Sequence, residues 1–298
     1  MSGGIPYELR IGRRYLRSTG NRFLSFISLM SITGVAIGVA VLIIVLSVMN
    51  GFEQELRSRI LSITSHATVS AFGAGLPDWQ DLRETTLANP ELAGVAPFIE
   101  GEALLVGATA DGRSSAAQVR GIDPELEATV SAIDQRMQGG SLNDLVPGGY
   151  GVVLGSELAD ALGVARGDSV VIAIAQGTVT PAGVVPRMRR FAVIGTFFSG
   201  MYEIDSTLAL VHLDDAGRLF RLRGNVTGLR LAMKDPFRAP PVAREVAHAL
   251  GGGLYVNDWT RRHSNFFRSI ELTKRMMFLI LLLVVAVAAF NIVSTLVM

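Results

Sequence analysis

Cysteine is missing from the sequence altogether, and histidine is scarce. Without cysteine the chain can form neither disulfides nor metal–thiolate sites. The four histidines do not follow the spacing of a metal-binding motif; they are His66, His212, His248 and His263. The sequence also lacks a GxxxxGK[ST] phosphate loop, an HExxH zinc motif and a GxSxG nucleophile motif. These absences argue against an enzyme, and we expect neither a metal nor a cofactor in this chain.

Charge is missing from two long stretches, 23–52 and 276–298. As α-helices rising 1.5 Å per residue, the apolar core of the first stretch, 26–49, and the whole second stretch would each be roughly 34 to 36 Å long, enough to cross about 30 Å of bilayer hydrocarbon. The first stretch is longer than the apolar part of a cleaved signal peptide, which is about 7 to 15 residues. We therefore predict a transmembrane helix in each stretch.

The charges that flank the first span predict its orientation. Residues 1–22 contain five arginines and one acidic residue, Glu8, so the positive-inside rule places this short amphipathic segment in the cytoplasm. Residues 53–275 then lie outside. They contain 22 of the 27 basic and 25 of the 26 acidic residues, a net charge of about −3, which provides no basic field for nucleic acid. Lys274 and Arg275 run against the rule, but long loops are translocated largely regardless of charge.

Periodicity divides the outer segment into short strands and helices, the pattern of an α+β domain. Strands are predicted at about 66–72, 94–108, 115–122, 169–175, 190–198 and 226–233, and a strand followed by a helix at 208–220. Further helices are expected after Pro77, over 156–163 with a serine cap and a glycine stop, and after Pro240–Pro241. Apolar residues at helical spacing extend both spans outward as stalks. Four carboxylates are interpreted as solvated or capping residues: Asp214, Asp215, Glu100 and Glu102.

Residues 177–189 are predicted to form a long hairpin loop. Plain turns need only a few residues, whereas this segment contains two prolines and several apolar side chains. We expect it to protrude and to present a small apolar surface with arginines at its base. The alternative is a loop folded back onto its own domain.

Several segments together resemble the lipoprotein-releasing ABC permeases of the LolC and LolE family. They are SLMSITGVAIGVAVLIIVLSVMNGFEQELRSRIL, GVARGD, TPAGVVP, FAVIGTF, NVTGLRL and VAVAAFNIVSTLVM. The resemblance covers essentially the whole chain. TPAGVVP is similar to the LolC hook and FNIVSTLVM is closer to LolE, which implies a hybrid subunit that forms a homodimer.

The resemblance implies a MacB-like periplasmic domain of two subdomains, of which the one nearer the centre of the sequence carries the hook. It also implies a bacterial inner-membrane permease that extracts outer-membrane lipoproteins and passes them to the periplasmic carrier LolA. A separate LolD-type ATPase dimer would bind ATP and magnesium. Two alternatives stay open: a MacB-type efflux or mechanotransmission permease, and an FtsX-like envelope regulator.

Two groups of site residues follow from this resemblance. The expected carrier-binding hook contains Val179, Thr180, Pro181, Val184, Val185, Pro186, Met188 and Arg189. The expected lipoprotein cavity and helix-packing face in the first span and its stalk contains the GxxxG pair Gly34 and Gly38, with Ile43, Leu46, Met49, Phe52 and Leu56. The family continues after its second span with a coupling helix and two more membrane helices, so the chain is expected to be a fragment that lacks part of the ATPase contact.

Overall fold

The computed structural model of the chain describes residues 7, 30, 33–51, 65–73, 75–108, 112–180, 183–262 and 264–297. The chain divides into two compact units. One contains Met1–Arg57 and Ser264–Met298, and the other contains Ser58–His263. The predicted cytoplasmic segment, apart from Tyr7, and the first stalk after Gly51 lie outside the described residues.

The elements are named in chain order. The helices are α1 (Thr33–Gly51), α2 (Trp79–Leu87), α3 (Pro124–Glu127), α4 (Ser156–Leu162), α5 (Tyr202–Asp205), α6 (Leu213–Phe220), α7 (Ala239–Ala249), α8 (Trp259–Arg262) and α9 (Ser264–Val297). The strands are β1 (Ala67–Ser70), β2 (Leu92–Gly107), β3 (Ser114–Ile122), β4 (Met137–Gln138), β5 (Gly151–Gly155), β6 (Ser169–Thr180), β7 (Gly183–Phe197), β8 (Leu208–His212), β9 (Gly228–Met233) and β10 (Tyr255–Asp258).

Helices α1 and α9 belong to the first unit, and both are long and apolar enough to cross a membrane. The candidate spans are Thr33–Gly51, with a mean hydropathy of 2.3, and Arg268–Phe290, with 2.2. On each helix half-buried residues recur at three- and four-residue spacing, the pattern of one helix packed along another. In α1 they are Val35, Gly38, Leu42, Val45, Leu46 and Met49, and in α9 they are Lys274, Met277, Leu281, Val285 and Ala288.

The second unit is built on one ten-stranded sheet. Six of its strands pair in the succession β2, β3, β8, β5, β7 and β6, and β6 returns to β2, so they form a closed ring. On the edge that faces away from β3, the first half of β2 pairs with β9. The sheet then extends from β9 to β1 and from β1 to β10. The sheet thus has a ring, which includes the hairpin β6–β7, and an open four-stranded part. The two expected subdomains stay a prediction.

Large apolar side chains on the ring strands form the core of this part. Phe191, Phe197 and Ile172 are fully buried, and one cluster joins strands β3, β5, β7 and β8. It contains Ile122, Ile133, Leu142, Leu145, Val153, Phe197, Leu208 and Leu210. The strands predicted from alternation are therefore held by the burial of their inward side chains.

Two ion pairs lie beside the open part of the sheet. Arg230 of β9 pairs with Glu127 of α3, and both side chains are at most 3% exposed. Burial lowers the pKa of Arg230, because desolvation disfavours the charged form, and the Glu127 carboxylate opposes this effect. Arg120 donates two hydrogen bonds, of 2.9 and 2.8 Å, to one oxygen of Glu100. The interpretation of Glu100 as a solvated carboxylate is therefore wrong, since cross-strand pairing brings Arg120 directly opposite it.

Most predicted elements are present, with one local correction at α4. Gly155 occupies the N-cap position of this helix, and no side chain caps it. The predicted serine cap is wrong because Ser156 is already the first helical residue. Gly163 ends the helix in the left-handed conformation, with a φ of 67°, as a glycine C-cap requires.

Candidate functional site

The segment predicted as a loop, 177–189, is mostly strand, so the prediction of a long loop is wrong. β6 and β7 pair from Ser169 opposite Ala192 to Thr180 opposite Gly183. Only two residues, 181 and 182, connect the strands. Threonine and valine favour extended backbone, and they dominate both sides of this turn. The segment is thus a long β-hairpin.

An irregularity interrupts this hairpin at Pro186. The pairing passes from Ile174 opposite Arg187 to Thr178 opposite Val185, so three residues of β6 face Pro186 alone. Proline has no N–H to donate to a strand partner and is found in sheets mainly at bulges and edges. A bulge also bends the strand that carries the extra residues. The hairpin therefore changes direction where this proline interrupts the ladder.

Beyond the bulge the hairpin becomes a two-stranded ribbon, residues 175–186. Strand β2 pairs with β6 only as far as Ile174. Further back along β2 the same edge is occupied by β9, whose Gly228 lies opposite Phe98. Four residues of β2, 99–102, separate the two paired stretches. Within the described residues β6 pairs beyond Ile174 with β7 alone. From the turn back to Pro186, β7 contributes four residues, so the ribbon is about 13 Å long.

Apolar side chains line up across three strands at the base of the ribbon. Leu104 of β2 lies opposite Ala173 of β6, and Ala173 lies opposite Met188 of β7. Directly opposed residues point to the same face of a sheet. Leu104 is 47% exposed and Met188 is 63% exposed. This base row therefore adds an exposed apolar surface to the ribbon.

Arg189 is held in place at the same base. Its guanidinium carbon lies 4.0 Å from the centroid of the Tyr150 ring, a cation–π geometry. The Tyr150 ring in turn packs edge-on against Phe191 at 5.5 Å. The positive charge at the base of the ribbon is thus fixed in position.

A buried carboxylate anchors Tyr150. Asp215 is fully buried and accepts hydrogen bonds from the backbone N–H groups of Gly148, at 2.9 Å, and Tyr150, at 3.0 Å. The interpretation of Asp215 as a solvated residue is therefore wrong. Tyr150 adopts a positive φ of 48°, which costs roughly 1 to 2 kcal/mol in a residue with a side chain. The Pro147–Gly148–Gly149 run indicates a turn, but no pattern in the sequence indicates this stacking.

The structure locates only part of the predicted hook. Pro181 and the side chains of Val179, Thr180, Val184 and Val185 lie outside the described residues, although the backbone places the last four on the ribbon near its turn. Pro186, Met188 and Arg189 are exposed. The hook residues thus belong to one continuous hairpin, and the binding role assigned to them stays a prediction.

The predicted face of the first span divides into two. Gly38, Leu46 and Met49 lie on the half-buried stripe of α1, whereas Gly34 and Ile43 are exposed. A Cβ added at Gly34 or Gly38 would meet no atom within 4 Å. Phe52 and Leu56 lie outside the described residues. In the described ranges no three histidine or acidic residues are grouped closely enough to hold a metal ion.

Comparisons with known proteins agree with this architecture. Residues 28–249 match the sequence profile of the MacB-like periplasmic core domain. The lipoprotein-releasing system transmembrane protein LolC of Xylella fastidiosa strain 9a5c is 46% identical over 294 residues, which cover 98% of this chain and 70% of the relative.

Two further relatives extend the match to both subunit types. LolC of Neisseria meningitidis serogroup B is 44% identical over 293 residues, with 98% of this chain and 70% of the relative covered. The lipoprotein-releasing system transmembrane protein LolE of Haemophilus influenzae is 34% identical over 295 residues, with 97% and 70% covered. The chain thus spans about 70% of the length of these relatives.

Proposed function

Because the chain belongs to the LolC and LolE family of lipoprotein-releasing system permeases, with a MacB-like periplasmic core domain, we propose how its parts divide the work. As a permease subunit it lifts lipoproteins out of the inner membrane and delivers them to the soluble carrier LolA. The spans receive the acyl chains, and the β ribbon holds the carrier. Residues 53–275 lie in the periplasm and residues 1–22 in the cytoplasm.

The chemistry of the cargo sets what such a subunit has to provide. Moving an acyl chain from lipid into water costs about 0.8 kcal/mol per CH₂ group. Extraction therefore needs an apolar path that shields the chains and an external source of energy. We assign ATP hydrolysis to a separate LolD-type ATPase, bound to a dimer of this subunit.

The ribbon carries this proposal, because it is an extension of the ring that the fold does not need. Beyond Ile174 it pairs with no strand of the sheet in the described part of the chain. Its base offers the exposed row of Leu104, Ala173 and Met188 on one face, and Arg189, the next residue of β7, lies on the other face against Tyr150. An exposed apolar row on a projecting ribbon is typical of a protein-binding site. The described helices α1 and α9 are apolar along their spans, which suits the passage of acyl chains.

The test is a calorimetric titration of LolA against the full chain in lipid nanodiscs. We expect Val184→Asp with Val185→Asp to weaken carrier binding by well over tenfold, since each valine buried against a partner contributes about 1 to 2 kcal/mol. The domain beneath should stay folded, because a surface ribbon adds little to its core.

A matched variant controls for the two new charges. Phe72→Asp with Leu87→Asp changes two exposed apolar residues, 72% and 41% exposed, that belong to neither the ribbon nor its base row. This control should bind LolA like the wild type. Equal affinity of the wild type and the ribbon variant would refute carrier docking at the ribbon and would favour the efflux or regulatory alternatives.

A further inference from the structure

A second candidate site is a cleft of about 580 Å³ between α2, α6 and the segment that leads into β9. We name it the arginine cleft. Its floor is apolar and consists of Ile99, Leu213 and Val226, all buried. Its rim combines the half-buried Trp79 with three arginines, Arg218, Arg221 and Arg223. The cleft therefore offers positive charge above an apolar surface.

The charges of the cleft are unevenly balanced. Arg218 is paired with the buried Asp215 at 3.3 Å. Arg221 and Arg223 are exposed, and neither forms an ion pair or a hydrogen bond through its side chain with any residue that the structure describes. Asp214 is the acidic residue in the lining. Two cations thus stay available to an anionic ligand.

The backbone at these two arginines is strained. Arg221 has a φ of 57° and Arg223 a φ of 53°, and Gly224 follows at 92°. Arg221 ends helix α6 in the left-handed conformation, a position where glycine is preferred because it has no Cβ. Glycine at both positions would adopt these φ angles without strain. Backbone strain kept at side chains that the fold does not need indicates that these side chains have a function.

The cleft lies at one end of β9, and His66 and Trp259 lie beside the other end. The His66 N–H donates to the Leu231 carbonyl at 2.9 Å. The His66 carbonyl accepts a hydrogen bond from the Trp259 N–H at 3.1 Å. Val226, in the cleft, precedes the opposite end of β9, about 17 Å from Leu231 along an extended chain. The cleft is therefore separated from His66 by the length of β9.

We propose that the arginine cleft binds an acidic segment of polypeptide. Carboxylates of that segment meet the guanidinium groups of Arg221 and Arg223, which match carboxylates in a planar, two-point geometry. An adjacent apolar side chain of the segment rests on Leu213 and Val226, beside the Trp79 ring. Its source is the polypeptide part of a lipoprotein in transit, and this identification rests on the proposed function.

The test measures fluorescence anisotropy with a fluorescein-labelled peptide, Asp-Leu-Asp-Leu-Asp, and the full chain in zwitterionic nanodiscs. The wild type should bind this peptide at least tenfold more tightly than an Asn-Leu-Asn-Leu-Asn peptide. Arg221→Gly with Arg223→Gly should weaken binding of the acidic peptide at least tenfold. The thermal midpoint of this variant should stay the same or rise, because glycine relieves the strain.

The control variant, Arg166→Ala with Arg244→Ala, removes the same charge at exposed residues outside the cleft and should bind the peptide like the wild type. Equal binding by the wild type and the glycine variant would overturn the proposal. Displacement of the peptide when phosphatidylglycerol is added to the nanodiscs would also overturn it, in favour of a lipid ligand.

A parallel LolA titration separates this inference from the proposed function. The glycine variant should keep its affinity for LolA, because the cleft lies outside the ribbon and its base row. If LolA binds and the acidic peptide does not, the cleft proposal fails alone. If the peptide binds at the arginines and LolA does not bind the wild type, the proposed function fails, and with it the identification of the peptide as part of a lipoprotein.

Discussion

Lys274 donates a 2.7 Å hydrogen bond from Nζ to the side-chain oxygen of Asn50, across 224 positions of sequence. Asn50 lies near the end of α1, and Lys274 lies in the first third of α9. This contact joins the two candidate spans where the half-buried stripe of α1 ends, at Met49, and that of α9 begins, at Lys274. Lys274, which runs against the positive-inside rule, thus has a structural role in holding the helices together.

Proximity of these two helices can be tested with introduced cysteines, because the chain has none of its own. Asn50→Cys with Lys274→Cys should crosslink efficiently with a short bifunctional thiol reagent. Asn50→Cys with Met276→Cys should crosslink poorly, since Met276 is exposed and lies about 200° around the helix from Lys274. Crosslinked protein is measured after proteolysis between the spans. Equal yields for the two pairs would contradict the packing.

Topology is open to a similar test. We expect a cysteine at Ser2 to be protected from an impermeant maleimide in intact spheroplasts, and a cysteine at Ala182 to react, because the arginines of residues 1–22 keep the N-terminus inside. Permeabilised spheroplasts, in which both sites should be labelled, serve as the control. The reverse labelling pattern would show that the orientation is wrong.

The face of α1 around Gly38 should accept another helix. A side chain at Gly38 would meet nothing within 4 Å of its Cβ, so Gly38→Leu should insert and fold normally. It should nevertheless impair subunit assembly or lipoprotein release, because the isobutyl group separates closely packed helices. Ala36→Leu, at an exposed position of α1, is the matched control. A fully active Gly38→Leu variant in a spheroplast release assay would remove the packing role.

Arg189 should act on the encounter with LolA more than on the stability of the complex. Arg189→Glu is expected to slow association severalfold at low ionic strength and much less at high salt, since exposed charges steer association and salt screens them. Arg189→Lys keeps the charge but loses the planar stacking on Tyr150, so its association rate should fall only slightly. Surface plasmon resonance at two salt concentrations measures both. A salt-independent effect would show that Arg189 does not steer the carrier.

The buried pair of Arg230 and Glu127 should dominate the stability of its region. Glu127→Gln leaves a buried guanidinium without its counter-charge, and we expect it to lower the free energy of unfolding by about 3 to 5 kcal/mol. Arg230→Met with Glu127→Leu should recover most of this loss, because an apolar pair needs no desolvation of charge. Unfolding in urea can be followed by tryptophan fluorescence, since both tryptophans, Trp79 and Trp259, lie in the second unit.

A surface pair provides the comparison. Glu91 accepts two hydrogen bonds from Arg238 in an exposed setting, and water already solvates both charges. Glu91→Gln should therefore change stability far less than Glu127→Gln. Similar losses for the two variants would show that burial does not set the strength of the Arg230 pair.

Local pattern was sufficient for much of this fold. Two stretches without charge predict the candidate spans, since a bilayer excludes charged side chains wherever the stretch lies in the chain. Alternation over 66–72 predicts β1, because every second residue of this strand is buried. The apolar, proline-containing segment before Met188 also marks the hairpin as unusual before any partner strand is known.

Only the tertiary structure decides what depends on distant neighbours. Antiparallel pairing of β6 with β7 turns a predicted loop into paired strands. The same holds for Asp215, Tyr150 and Arg189, which lie 26 to 65 positions apart and meet only when the ring closes. Arg221 and Arg223 look like ordinary surface arginines in sequence, and only their positive φ angles distinguish them. The sequence by itself determines which segments are buried or span lipid, because that depends on each residue's own solvation. The three-dimensional arrangement determines which charges meet, because that depends on how distant strands pair.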